Sequence, residues 1–193
     1  RINKKEIKMN PILILGIIVG VILIVIIWFI ALQNSFRTML VKIDESESGI
    51  DVALTQRFDM LTKLFQAAKG YMKFEKDTLE SVVKLRQPQH ADSIKDKEAF
   101  ANEVSRGLSA INVVVEQYPD LKASQNILKL QNSTAEIEEN LQAARRVYNS
   151  NVSMYNQKIV TFPNSVVANM GKFLKREFFE ADPLKKADVN FEF

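Results

Sequence analysis

Between Arg145 and Ser165 the sequence reads RRVYNSNVSMYNQKIVTFPNS, with Tyr148-Asn149 repeated seven residues later as Tyr155-Asn156. Phenols and carboxamides at a helical repeat suit hydrogen bonding to a ligand, to a partner or within a packed seam. They do not move protons at neutral pH without a base, an acid or a nucleophile held by another group. The chain has no cysteine, and its one histidine, His90, sits in the polar stretch RQPQHADS, where a solvated loop residue is expected. The carboxylate runs DESE (44–47) and EIEEN (136–140) lack the turn glycine and alternating ligands of a calcium loop, so they read as solvated faces. Catalytic residues, cofactor and metal are therefore all expected to be none.

On a helix, residues seven apart return to nearly the same face. Tyr148 and Tyr155 then fall on one apolar row, with Asn149 and Asn156 at its border and Arg145 on the same side. These five residues are expected to form a structural polar seam, since buried polar groups fix helix register when a slipped alignment would leave them unpaired.

The elements that would position them are helices. Residues 12–32, ILILGIIVGVILIVIIWFIAL, carry no charge. At helical rise they cover roughly 32 Å, the hydrocarbon thickness of a bilayer. Trp28 and Phe29 lie near one end, where aromatic rings suit the interface. An uncleaved transmembrane helix fits better than a signal peptide, because FIALQNSF offers little of a cleavage site. Arg1, Lys4, Lys5 and Lys8 against Glu6 supply the whole formal excess of +3, so residues 33–193 are neutral. That leaves no basic face for nucleic acid. The basic flank 1–11 argues for a cytoplasmic N-terminus and an exported bundle; a start at Met9 would remove it and leave Arg37 and Lys42 to argue the reverse.

Beyond the anchor, apolar residues at spacings of three, four and seven predict a first soluble helix from Gln33 to Arg86. Pro88 should end it, and Asp92 or Ser93 should cap a second helix over 95–117. A turn at Pro119 leads to a third helix from Gln125 to Val160, stopped by Pro163, and a short helix follows. A strand is conceivable only at the terminal DVNFEF. The expectation is all-α: a single N-terminal transmembrane helix continuing into an elongated antiparallel helical bundle over 33–182, with a tail at 183–193. The first soluble helix outruns the third, so Phe36, Leu40, Ile43 and Ile50 are expected to stay wet in a monomer and to form a self-association stripe, unless the C-terminal segment folds back over them. Phe178 and Phe179, in KREFFEADP, are expected either to dock that segment on the bundle or to present an aromatic anchor to a partner.

The segments YPDLKAS (118–124), AARRVYNSNVSMYNQKIVTFPNS (143–165), REFFEAD (176–182) and GIDVALTQRFDMLTKLFQAAKGYMKFEKDTLESVVKLR (49–86), with one N-terminal anchor, closely resemble the LemA family of bacterial membrane proteins. The resemblance implies a membrane-anchored helical bundle without established catalytic activity. It also suggests a membrane zinc metallopeptidase or a TPM-domain protein as partner, because such genes are often neighbours. Where the family usually has a proline in its first soluble helix, this chain has Thr62 and Lys63, which predicts a straighter helix. Ile137 and Glu138 stand where a Thr-Glu pair is usual. Together these point to a non-enzymatic scaffold self-associating in the inner membrane of a bacterial envelope, or alternatively to a monomeric adaptor that recruits or regulates a membrane-bound peptidase.

Overall fold

A computed structural model describes residues 11–70 and 92–180. Among them are α1 (Pro11–Ala68), α2 (Ile94–Gln117), α3 (Pro119–Lys122), α4 (Gln125–Val160) and α5 (Asn164–Met170). The protein is all-α over the described residues, as its periodicity predicts. His90, Pro88, the expected helical stretch 71–86, the flank 1–10, the tail 183–193 and the conceivable strand lie outside the described residues.

Helix α1 runs unbroken for 58 residues, through Thr62 and Lys63. Its side chains from Ile12 to Ile27 are exposed on every side, which is the distribution of a membrane span rather than of a core helix. From Leu32 onward only one stripe is buried, including Phe36, Ile43, Ile50, Leu54, Leu61 and Leu64. Ala68 closes α1, and a turn follows at Lys69–Gly70, so the expected single helix is interrupted there.

Ser93 starts α2 with a reciprocal capping box. Its Oγ accepts from the Asp96 backbone N–H (3.2 Å), and its own N–H donates to Asp96 Oδ2 (3.2 Å). Phe100, Val104, Leu108, Ile111 and Val115 are all buried, as their spacing requires. Pro119 opens the single turn α3, a position that needs no N–H, and α4 follows. Along α4 the row Ile127, Ile137, Leu141, Tyr148, Val152, Tyr155 and Ile159 is buried.

The described residues divide into two compact units: 11–40 with 155–175, and 41–70 and 92–154 with 176–180. Inside the second unit, Asn151 Nδ2 reaches Lys42 O (3.2 Å) and Ser46 Oγ (3.1 Å), while Arg57 pairs with Glu138 further up α1. Residue numbers rise on α1 as they fall on α4, so these helices are antiparallel. Helix α2 runs with α1, because Lys97 meets Glu47 and Asp51 while Ser105 meets Arg57. Inside the first unit, Lys158 Nζ donates to Ser35 Oγ (2.6 Å), and the Phe36 and Phe173 rings meet edge-on at 5.1 Å.

These contacts correct the expectation of a wet stripe. Phe36, Ile43 and Ile50 are fully buried and Leu40 is half-buried, all within a single chain. In the first unit Phe173 packs on Phe36; in the second, α4 bonds to α1 at Lys42 and Ser46, and α2 at Glu47 and Asp51.

Candidate functional site

The second unit holds a site at the C-terminal half of α4. Residues 176–180 have no helical structure and lie along that helix as a strap. Tyr148 Oη donates to Glu177 O (3.0 Å). One turn position on, the Asn149 carboxamide makes a two-point contact with the backbone of Phe179: Nδ2 donates to Phe179 O (2.8 Å), and the Phe179 N–H donates to Oδ1 (2.8 Å). The Arg145 guanidinium lies over the Phe179 ring, 4.6 Å from its centre, a cation–π geometry. Arg176 Nη2 reaches Asp44 Oδ1 (3.0 Å), and the Glu180 N–H donates to Glu98 Oε1.

Adjacent residues of an extended chain point to opposite faces. Phe179 is therefore buried, at 3% exposure, while Phe178 stands at 45%. Of the two, Phe179 docks on the bundle, while Phe178 stays partly exposed. Burial, assisted by Glu47, raises the Tyr148 phenol to about 12, so it is a neutral hydrogen-bond donor at physiological pH. The groove beside the clamp, ≈ 460 Å³, is lined by Gln142, Arg145, Arg146, Asn149, Ser150 and Phe179. Those side chains offer hydrogen bonds and positive charge; among them none is a nucleophile paired with a base.

The expected seam thus splits. Arg145, Tyr148 and Asn149 converge on the strap. Tyr155 is buried in the first unit, with Asn156 half-buried beside it.

Beneath the strap lies a charge network absent from the sequence reading. Lys97 is fully buried, and its Nζ sits 2.7 Å from both Glu47 Oε1 and Asp51 Oδ1. Arg57 is also buried. It donates to Ala101 O (3.1 Å) and Ser105 Oγ (3.0 Å) and pairs with Glu138 Oε2 at 2.8 Å. Burial lowers the Arg57 guanidinium from its ordinary value while Glu138 opposes the shift. Burial lowers Arg145 as well, with Glu138 and Glu98 opposing and Arg57 adding to it. Both basic residues occupy apolar-stripe positions, Arg57 between Leu54 and Leu61 and Lys97 between Ile94 and Ala101. A charge on the stripe was the signal that could have found them. Among the described residues no group of three or more His, Cys, Asp or Glu side chains is placed to hold a metal.

Among the described residues, fold and site define helices packed side by side, one of them long and apolar enough to cross a membrane, with the strap 176–180 clamped on α4. Residues 46–193 match the model of the LemA family, and the chain belongs to that family. It is 29% identical over 151 residues to Protein LemA of Metamycoplasma hominis, covering 77% of this chain and 69% of that protein. It is 30% identical over 76 residues to the magnetosome proteins MamQ 1 and MamQ 2 of Paramagnetospirillum magneticum, covering 39% of this chain but 28% of either protein.

Proposed function

We propose that this chain is a non-catalytic, membrane-anchored helical adaptor of the bacterial cell membrane, which presents its bundle to another membrane protein. The observation that carries the reading is the single unbroken α1, apolar all round at its start and the buried stripe of the bundle thereafter. A helix that changes solvent without a break couples the bundle directly to the bilayer. Val21→Lys with Ile24→Lys should shift the full chain from the membrane to the soluble fraction. Recovery of wild-type protein in an alkaline carbonate wash would overturn the anchor.

The adaptor is preferred to the self-associating scaffold because Phe36, Ile43 and Ile50 are already covered within one chain. Light scattering on detergent-extracted full-length protein should give one chain per micelle; a uniform larger particle would restore the scaffold. A membrane metallopeptidase or a TPM-domain protein is the first partner class to test, by cross-linking from the exposed Phe178 position. The basic N-terminal flank supports an exported bundle. Because the chain has no cysteine, Val147→Cys provides a single exposed thiol. Labelling of intact cells by an impermeant maleimide supports that orientation, and labelling only after lysis reverses it.

A further inference from the structure

The first unit exposes apolar side chains where a water-facing surface has no use for them. Phe162 is 79% exposed, Val166 52%, Met170 69% and Leu174 79%, each four residues from the last. Helix α5 is apolar on both faces: Val167 and Ala168 are buried, while Val166 and Met170 point outward. The helix closes in a Schellman turn. Phe173 N–H donates to Ala168 O (2.9 Å), Lys172 N–H donates to Asn169 O (3.2 Å), and Lys172 takes the left-handed position (φ 54°) usually given to glycine. This turn brings Phe173 against Phe36.

Position along α1 gives the exposed patch its meaning. Lys158 bonds to Ser35 and Phe173 packs on Phe36, respectively three and four residues beyond Leu32, where the apolar span ends. At helical rise these contacts lie about 5–6 Å past the span. The headgroup zone on each side of the hydrocarbon is roughly 5–8 Å deep. Charge agrees with position. Among the described residues of this unit there is no Asp or Glu, while Arg37, Lys158, Lys172 and Lys175 are all basic.

We propose that Phe162, Val166, Met170 and Leu174, edged by Lys172 and Lys175, form a second membrane contact: a foot that seats in the headgroup region of the leaflet from which α1 emerges, on anionic lipid. Apolar side chains with lysines at the rim match the acyl–headgroup boundary of a bilayer carrying negative charge. This rests on the reading of residues 12–32 as a span.

The test uses the full chain in nanodiscs containing bromine-labelled lipid, with tryptophan emission as the readout. Trp28 is the sole tryptophan and reports the span itself. Trp28→Phe/Phe162→Trp should lose emission to lipid brominated near the headgroup, and Trp28→Phe/Val147→Trp, exposed in the second unit, should not. The loss should be larger in discs containing phosphatidylglycerol than in phosphatidylcholine alone, and Lys172→Glu/Lys175→Glu should remove that difference. Quenching of Trp28 without quenching at position 162 overturns the foot and leaves the anchor standing. Equal quenching in both lipids overturns the anionic preference, and an unquenched Trp28 overturns the anchor and the foot together.

Discussion

Asn149→Ala removes the two-point contact that holds Phe179. The two hydrogen bonds, each 2.8 Å, contribute about 1 kcal/mol apiece after the exchange with water. The alanine also leaves the Phe179 N–H and C=O without their partner beneath a ring that is nearly fully buried. The strap relieves that cost by lifting, so the perturbation appears as local opening rather than global unfolding. About 2 kcal/mol corresponds to roughly a 30-fold rise in the open population. Amide hydrogen exchange read on peptides covering residues 174–180 should accelerate by that factor, while α2 exchanges as in the wild type. Asn149→Asp keeps an acceptor for the Phe179 N–H but sets a second oxygen against Phe179 O, partly offset by nearby Arg145, so it should fall between wild type and alanine. Unchanged exchange at Phe179 in the alanine variant would refute the clamp.

Three further outcomes follow from the same contacts. Lys97→Met should cost about 3–5 kcal/mol by urea denaturation, because it leaves Glu47 and Asp51 facing each other without their cation; adding Glu47→Gln and Asp51→Asn should restore part of the loss, and no restoration would remove the ion pairs as its cause. The Tyr148 phenol is raised to about 12 in the fold from an ordinary value near 10, so its contribution is fully present below pH ~10 and is lost as pH climbs toward ~12; Tyr148→Phe should flatten that part of the stability profile, and an identical profile would contradict the burial argument. Lys172→Gly should stabilise the fold by about 1 kcal/mol of relieved left-handed strain, seen as a higher thermal midpoint in detergent; an unchanged midpoint would show that the turn carries none.

Periodicity made most of the helices legible in advance. Ile111, Ile127, Leu141 and Tyr148 are buried where three- and four-residue spacing puts them. The end of α1 was not legible, because apolar spacing continues past Gly70 and a glycine with that continuation does not announce a turn. Arg57 and Lys97 were passed over for a related reason: a stripe is read from its apolar members, and a charge inside it is taken for a face residue until its counter-charges are seen. The strap has no period at all. Only the adjacent Phe178 and Phe179 marked it, and an extended backbone sends them to opposite fates.

The chain also meets a problem of timing. Ser35 waits for Lys158, and Asp44 waits for Arg176, more than a hundred residues of synthesis later. At about 5–20 residues per second, that interval is roughly 6–25 s. Throughout it the stripe of α1 that begins at Phe36 and runs through Ile43 and Ile50 lacks the residues that later bury it. A nascent chain with an apolar stripe still uncovered is a client for chaperones, and slowing translation after residue 100 should lengthen its exposure to them.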